Sequence, residues 1–463
     1  MTMTASTLLF RLLLALVVLA PVPFAAQRPW AWSLMGVTIG LLLLLWGALV
    51  LTGRARAAMP MSRLWFPAVP FLLVLCWAVL QTTGLVPAGW QHPLWGEAAR
   101  ALNAMNGSMV GSISLDPSMT VTAVLRLATY GGVFWLAVQL GRERARAREA
   151  LVTLATAGIA YAVYGLAVRF GGWEYILWYP KWAYHGDVTA TFVNRNAYGA
   201  YAGIGLLCCV ALFVHGLRPT GTGDRRAFDL AEALLVRALP YLAGGLVIGT
   251  ALLLSHSRGA FLATGVSLLV LIVALVKGRI LRPGAAFPAV VALLVVGLSS
   301  VIISGDGTVD RLWRMNIDQE GRPDLMRQTL VAIGDAPWTG YGLGAFLPAF
   351  RLYRDSTLAD TVVYDFAHNV HLELAMDLGL PGALVFYAAI IAVAAVCAAG
   401  LVRRRRDQIH PAVALAAMTL LGLHGLVDFS AQMPAIGATL ALLLGIGYAQ
   451  SWNTAEHGRS ADW

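Results

Sequence analysis

Charge is scarce in this sequence. Only 12% of its 463 residues are Asp, Glu, Lys or Arg, about half the ~25% of an ordinary soluble domain. Blocks such as 41–52 and 290–303 carry no charge at all. Cysteine is nearly absent too. Cys76, Cys208, Cys209 and Cys397 all fall inside apolar runs, which excludes a disulfide framework. There is no His-Glu-x-x-His helix, no cysteine pair at zinc-ligand spacing and no Gly-x-Ser-x-Gly elbow. Zinc-protease and serine-hydrolase chemistry therefore have no foothold. The chain also lacks an internal repeat and a low-complexity tract. The formal net charge of +9 does not point to nucleic acid, because the basic residues sit in short clusters between apolar runs, where they act as topology determinants.

What is abundant is apolar sequence, at 59%. Runs near 20 apolar residues match the hydrocarbon thickness of a bilayer, and a helix satisfies its own backbone hydrogen bonds there. The expected fold is an all-α polytopic membrane protein, a single transmembrane domain over 1–463. Its twelve spans lie near 7–26, 30–52, 64–83, 120–140, 150–170, 197–216, 238–256, 260–276, 285–303, 373–400, 411–429 and 434–451. The N-terminus has signal-peptide features, with Arg11 ahead of Leu12 to Leu19 and the pair Ala25-Ala26 behind. A second span follows at once and the topology needs the first, so it reads as retained.

Alternate connections then share a side. One side holds Arg54, Arg56, Arg63, Arg142, Arg144, Arg146, Arg148, Arg218, Arg225, Arg226, Arg237, Lys277, Arg279, Arg282 and Arg403 to Arg406. The short loops opposite hold Arg28, Arg100, Lys181, Arg195 and Arg258. By the positive-inside rule the rich side is cytoplasmic, together with both termini. Three outer connections are long: 84–119, 171–196 and 304–372. The last is the large periplasmic loop. It is expected to contain a short amphipathic helix, with Pro323 and Asp324 in the first turn, Leu325, Thr329, Leu330 and Ile333 on one face, and Gly334 at the end. A similar helix is expected over 93–105, with Leu94, Ala98, Leu102 and Met105 aligned. Such helices either lie on the bilayer interface or pack the loop on the bundle.

Three polar clusters remain once the topology residues are set aside, all on the outer face. In Asn194-Arg195-Asn196 the guanidinium is suited to phosphate, being a planar fork that stays charged. The alternative is an interface arginine that snorkels to water. Ser255-His256-Ser257-Arg258-Gly259 puts a cation, two hydroxyls and a glycine in one hairpin tip. A charge at that depth usually faces a cavity or a partner, although a plain polar turn has the same composition. In His368-Asn369-Val370-His371-Leu372-Glu373, followed by Gly379 and Gly382, His368 closes the large loop and can accept a proton near neutrality. The glycines admit a close neighbour. The bland reading is a polar entry to a helix. Asn369 either orients His368 or caps that helix. His368 and His371 could bridge a metal, but no further ligand is evident. His424 and Asp428, one turn apart, are expected to satisfy each other rather than line a cavity.

Taken together, a base and two arginines fit transfer of a sugar from a diphosphate carrier. The acceptor hydroxyl must lose a proton, and charge develops on the leaving diphosphate. A histidine serves the first need and arginines in a low-dielectric pocket the second.

The order of these segments resembles the O-antigen ligase/polymerase superfamily. His368-Asn369-Val370-His371-Leu372 with Gly379 and Gly382 resembles its histidine signature. Pro337-Trp338-Thr339-Gly340-Tyr341-Gly342-Leu343-Gly344-Ala345-Phe346 resembles the glycine run that often precedes it. Phe192 to Asn196 and Ser255 to Gly259 look like its two arginine segments. The resemblance covers roughly residues 150–430. It implies a GT-C-like membrane glycosyltransferase in a bacterial inner membrane, with a periplasmic active site and no metal or other cofactor. The donor is a glycan on undecaprenyl diphosphate, and the reaction inverts the anomeric centre. Arg195 and Arg258 hold the diphosphate and His368 is the catalytic base, with Asn194, Asn196, Ser255, Ser257, Asn369 and His371 in support. The acceptor is lipid A-core for a ligase, or a growing glycan for a repeat-unit polymerase. Protein oligosaccharyl transfer is a third variant. Solute transport is the reading from a different class, but transporters favour repeats and midplane charge, and neither is found.

Overall fold

A computed structural model describes residues 4–103, 109–218, 232–285, 321–359 and 361–453. Among these residues the protein is helical apart from one two-stranded ribbon. The first six helices are α1 (Ala5–Leu19), α2 (Pro29–Leu51), α3 (Met61–Leu80), α4 (Pro93–Asn103), α5 (Pro117–Leu140) and α6 (Arg144–Phe170). Strands β1 (Tyr175–Ile176) and β2 (Tyr179–Pro180) follow, then α7 (Arg195–Gly216), α8 (Leu239–Leu254) and α9 (Arg258–Lys277). The remainder are α10 (Arg322–Asp335), α11 (Phe346–Phe350), α12 (Val370–Arg403), α13 (Ile409–His424) and α14 (Pro434–Gln450). Among the described residues eight helical stretches are long and apolar enough to cross a bilayer, and α1, α13 and α14 are shorter apolar helices. The chain is thus a multi-pass helical membrane protein. The span expected near 285–303 lies largely outside the described residues.

Most helix boundaries follow from local chemistry. Asn194, Ser257 and Asn369 cap α7, α9 and α12, each side chain accepting from backbone N–H groups of the first turn, groups that otherwise lack partners. The first span is shorter than its apolar run because Pro21 and Pro23 follow α1 and cannot continue a helix. The last turn expected of α13 is also missing. That helix stops at His424, and Gly425 leads into a turn.

Helix α7 is the centre of the bundle, packed on α6, α8, α9 and α13. Its contact stripe is made of small residues. A Cβ on Gly205 would stand 3.2 Å from the Cα of Gly158 on α6, and one on Gly203 would stand 2.4 Å from Thr264 Oγ1 on α9. Small residues are how helices approach closely in lipid, where no hydrophobic force drives them together.

The two ends of the bundle differ. At one end arginines bind helix carbonyls. Arg142 donates to Trp452 O at 2.7 Å and to Asn453 O at 2.9 Å, and Arg404 to Trp452 O at 2.6 Å, just past the end of α14. Arg144 meets Asp407 at 2.6 Å and Arg11 meets Glu149 at 2.8 Å. Cations there complement the negative ends of helices. The opposite, arginine-poor end gathers the starts of α7, α9 and α12 and the end of α13.

The glycine run has a precise mechanical role. Pro381 has no N–H to offer Asp377 O, and Gly379 (φ 72°) breaks α12 within its length. The freed carbonyls are taken by the segment 337–342. Tyr341 N donates to Met376 O at 3.0 Å and Gly342 N to Asp377 O at 2.9 Å, while Leu380 N donates to Pro337 O at 2.8 Å. Gln81, fully buried on the C-cap of α3, donates to Thr339 O at 2.8 Å and to Asp377 O at 2.9 Å. What approaches Gly379 is therefore backbone of the same chain, and a Cβ on Gly382 would meet Leu378 Cβ at 2.9 Å and the Trp77 ring at 3.1 Å. A Cβ on Gly340 (φ 64°) would lie 2.4 Å from Asp377 O. Gly340→Ala combines left-handed strain with a backbone clash and should cost roughly 2–5 kcal/mol. The expected result is loss of monodisperse protein after detergent extraction; an unchanged melting temperature would refute this docking.

The two surface helices differ from each other. In α10, Leu325, Thr329 and Ile333 are buried as expected, but Leu330 is 54% exposed and Ala332 takes its place in the core. This helix packs on α12. By contrast α4 buries none of its described side chains, and Met105 lies outside the described residues.

Candidate active site

The loop entering α7 is built before the helix begins. The β1–β2 ribbon pairs Tyr175 with Pro180 and Ile176 with Tyr179. Lys181 Nζ then donates to Tyr184 O at 3.1 Å and to Asp187 O at 2.6 Å. Val188 N donates to Leu254 O at 2.9 Å, which sews this loop to the end of α8. Asp187 is thereby delivered beside the Ser255–Gly259 hairpin tip.

Asp187 joins two of the three clusters. Its Oδ2 accepts from Arg195 Nη1 at 2.9 Å and its Oδ1 pairs with His256 Nδ1 at 2.6 Å. Burial alone would raise this carboxyl, but the hydrogen bonds from His256 and Arg195 outweigh it and hold Asp187 below the usual carboxylate range. The Arg195 guanidinium also lies over the Tyr184 ring, 5.4 Å from its centroid. His256 has φ 53°, a left-handed conformation that is uncommon for non-glycine residues.

A second carboxylate joins the first cluster to the third. Asp428, 1% exposed, accepts from Asn196 Nδ2 at 2.8 Å and from Ser430 N at 2.9 Å. Its Oδ2 lies 4.0 Å from His368 Nδ1, an ion-pair separation rather than a hydrogen bond. His368 is held from every side. Ala367 N donates to buried Glu373 at 2.8 Å, Asn369 caps α12, and Val370 N donates to Gly425 O at 2.8 Å. The His368 ring stands edge-on to Phe429 at 5.0 Å, and Phe429 stacks on Phe366 at 4.3 Å. Like His256, His368 sits in the left-handed region, at φ 51°.

The structure thus draws Arg195, Asn196, His256 and His368 to one end of the bundle through Asp187 and Asp428. Arg258 reaches that end on the first turn of α9. The next residue, Gly259, leaves 3.1 Å between its would-be Cβ and His424 Cδ2, and Arg258 itself is exposed. The remaining expected residues serve the backbone. Ser255 Oγ donates to Leu252 O at 2.6 Å, while Asn194, Ser257 and Asn369 are helix caps. His371 is outside the cluster. Its Nδ1 meets Tyr387 Oη within α12 at 2.5 Å, and its Nε2 meets Gly422 O at 2.8 Å and so braces α12 against α13. Among the described residues no three His, Cys, Asp or Glu side chains gather as metal ligands.

Three contributions escape a reading of the sequence. Asp187 sits in a loop with no spacing to mark it. Arg322 opens α10 and donates to Val427 O at 3.1 Å, which brings the large loop onto the same turn. Asp428 takes its hydrogen bonds from Asn196 and Ser430, and with His424, whose buried Nδ1 takes no hydrogen bond among the described residues, it interacts through charge without a hydrogen bond. The expected mutual pairing of His424 and Asp428 is therefore corrected.

Residues 243–387 match the family model described as O-antigen ligase. The match spans the Ser255–Gly259 hairpin, the glycine run, His368 and the Gly379 break. No curated protein matches the chain.

Proposed function

We propose, from the match of residues 243–387 to the O-antigen ligase family model, that this chain is a glycosyl-transferring membrane enzyme of the O-antigen ligase/polymerase superfamily and moves a glycan from undecaprenyl diphosphate to an acceptor hydroxyl on the periplasmic side of the inner membrane. The acceptor we assign is lipid A-core, which makes the protein an O-antigen ligase. The observation that carries this reading is the pair of carboxylates, Asp187 and Asp428, that gather Arg195, His256, Asn196 and His368 at the arginine-poor end.

The proposed chemistry follows from those groups. His368 takes the proton of the attacking hydroxyl, and Asp428 at 4.0 Å stabilises the resulting imidazolium. The hydroxyl oxygen bonds to the anomeric carbon on the face opposite the diphosphate, so the centre inverts. The electron pair of the breaking C–O bond passes to the diphosphate, where Arg195 and Arg258 offset the developing charge. Three capped helix starts, those of α7, α9 and α12, add partial positive charge at the same end. The lipid tail enters sideways between apolar helices, in a GT-C-like arrangement.

Supplying purified protein with a lipid-linked repeat, with and without lipid A-core, tests the assignment. A ligase gives product on lipid A-core alone; lengthening glycan on the carrier itself identifies a polymerase. No product with either acceptor overturns both. Because arginines handle the leaving group, turnover should persist in excess chelator, and strict dependence on an added divalent ion contradicts the proposed chemistry.

A further inference from the structure

His256 is not explained by the reaction as written, yet it is held with care. It occupies a left-handed conformation in a hairpin tip, and its Nδ1 lies 2.6 Å from Asp187. An ionised carboxylate only accepts, so Nδ1 carries the hydrogen of this bond. The second ring nitrogen, Nε2, takes no partner among the described residues, and the side chain is 29% exposed. Arg195 and His368 are exposed to nearly the same degree, 30% and 26%. Three partly open groups therefore line one end, and Asp187 holds two of them, one on each oxygen. His371, by comparison, has both nitrogens engaged by the protein.

We propose that His256, oriented by Asp187, is a third contact to the donor diphosphate, donating Nε2–H as an imidazolium to the phosphate oxygen that leaves. The inference rests on the reading given under Proposed function. With Nδ1–H committed to Asp187, neutral imidazole offers only a lone pair at Nε2, and the imidazolium alone donates from both nitrogens. Asp187 lies 2.6 Å from one ring nitrogen, and the diphosphate approaches the other. In the transfer step the acceptor proton goes to His368, the C–O electron pair goes to the phosphate oxygen, and the His256 N–H bonds to that oxygen. Asp187 is the positioning residue, because one carboxylate sets the spacing of the Arg195 and His256 donors. The charged and titratable groups around His256 are Asp187 with Lys181 behind it in the loop, Arg195 from α7, Arg258 from its own hairpin, His424 at the end of α13 and Asp428 in the turn after it.

The test uses the full-length protein in nanodiscs, on a His368→Ala background so that the lipid-linked glycan donor binds without turning over. His256→Gln keeps an amide N–H near the position of Nε2. His256→Asn keeps only the link to Asp187. The expected result is that His256→Asn weakens donor binding by about 10- to 100-fold, the range of a lost charge-assisted hydrogen bond, whereas His256→Gln recovers more than half of that loss on a logarithmic scale. Wild-type affinity in His256→Asn, or equal loss in the two variants, overturns the proposal. Should the protein with His368 intact transfer no glycan and bind no donor, the glycosyltransferase reading itself fails; normal transfer with an indifferent His256 defeats this inference alone.

Discussion

His368→Ala abolishes glycan transfer while the protein remains folded and membrane-inserted. A general base contributes about 10²–10⁴ in rate, and the substitution removes the one imidazole that Asp428 faces at 4.0 Å. The fold should survive, because the features that shape this corner are backbone ones. Glu373 still holds Ala367 N, Asn369 still caps α12, and Val370 N still bonds to Gly425 O. What is lost is the edge-on contact with Phe429, worth about 1 kcal/mol. Transfer measured from purified protein of unchanged elution volume and melting temperature checks the claim. Turnover within a factor of three of wild type would remove His368 from the chemistry.

Arg195→Lys has the second largest expected effect, a fall of about 10²–10³ in kcat, the typical loss when one preorganised charge donor is removed. Arginine can bind Asp187 through Nη1 and still present other N–H groups of the same rigid fork to a phosphate. Lysine is a point charge on a flexible stem. If its ammonium stays on Asp187 it leaves the diphosphate unattended, and if it turns to the diphosphate it abandons Asp187. Asp187 stays ionised at neutral pH in the wild type, and its hydrogen bond to His256 remains in the variant, so stability should change little. A purely structural Arg195 predicts the reverse, a lowered melting temperature with kcat intact, and that pattern would refute the diphosphate role.

Much of the architecture was legible because the bilayer leaves few choices. Uncharged runs became helices, and most of the described ones begin and end within a few residues of the apolar boundaries, α1 and α13 stopping early. The arginines grouped by topology also meet in space, where Arg142 and Arg404 bind carbonyls beyond α14. The failures are equally physical. His424 and Asp428 share the spacing of a helical pair, but that spacing has meaning only while the helix continues, and α13 ends at His424. Leu330 has the spacing of the buried face of α10, yet α10 turns Ala332 inward, a residue whose small size hides it from a count of large apolar side chains. The arginines and histidine of the candidate site were visible as cations stranded at the wrong end of a cation-biased chain. Their partners were not. Asp187 comes from a loop pinned by Val188 to the end of α8, and Asp428 meets Asn196 across the bundle, contacts that no local pattern encodes.

A structure of the protein with a non-transferable phosphonate analogue of the lipid-linked donor tests the central claim most directly. The account predicts the diphosphate at the arginine-poor end, within hydrogen-bond reach of Arg195 and Arg258, with the anomeric carbon facing His368. A diphosphate seated at the opposite end, for instance in the cavity of about 300 Å³ lined by Arg56, Arg142 and Arg146, would contradict it.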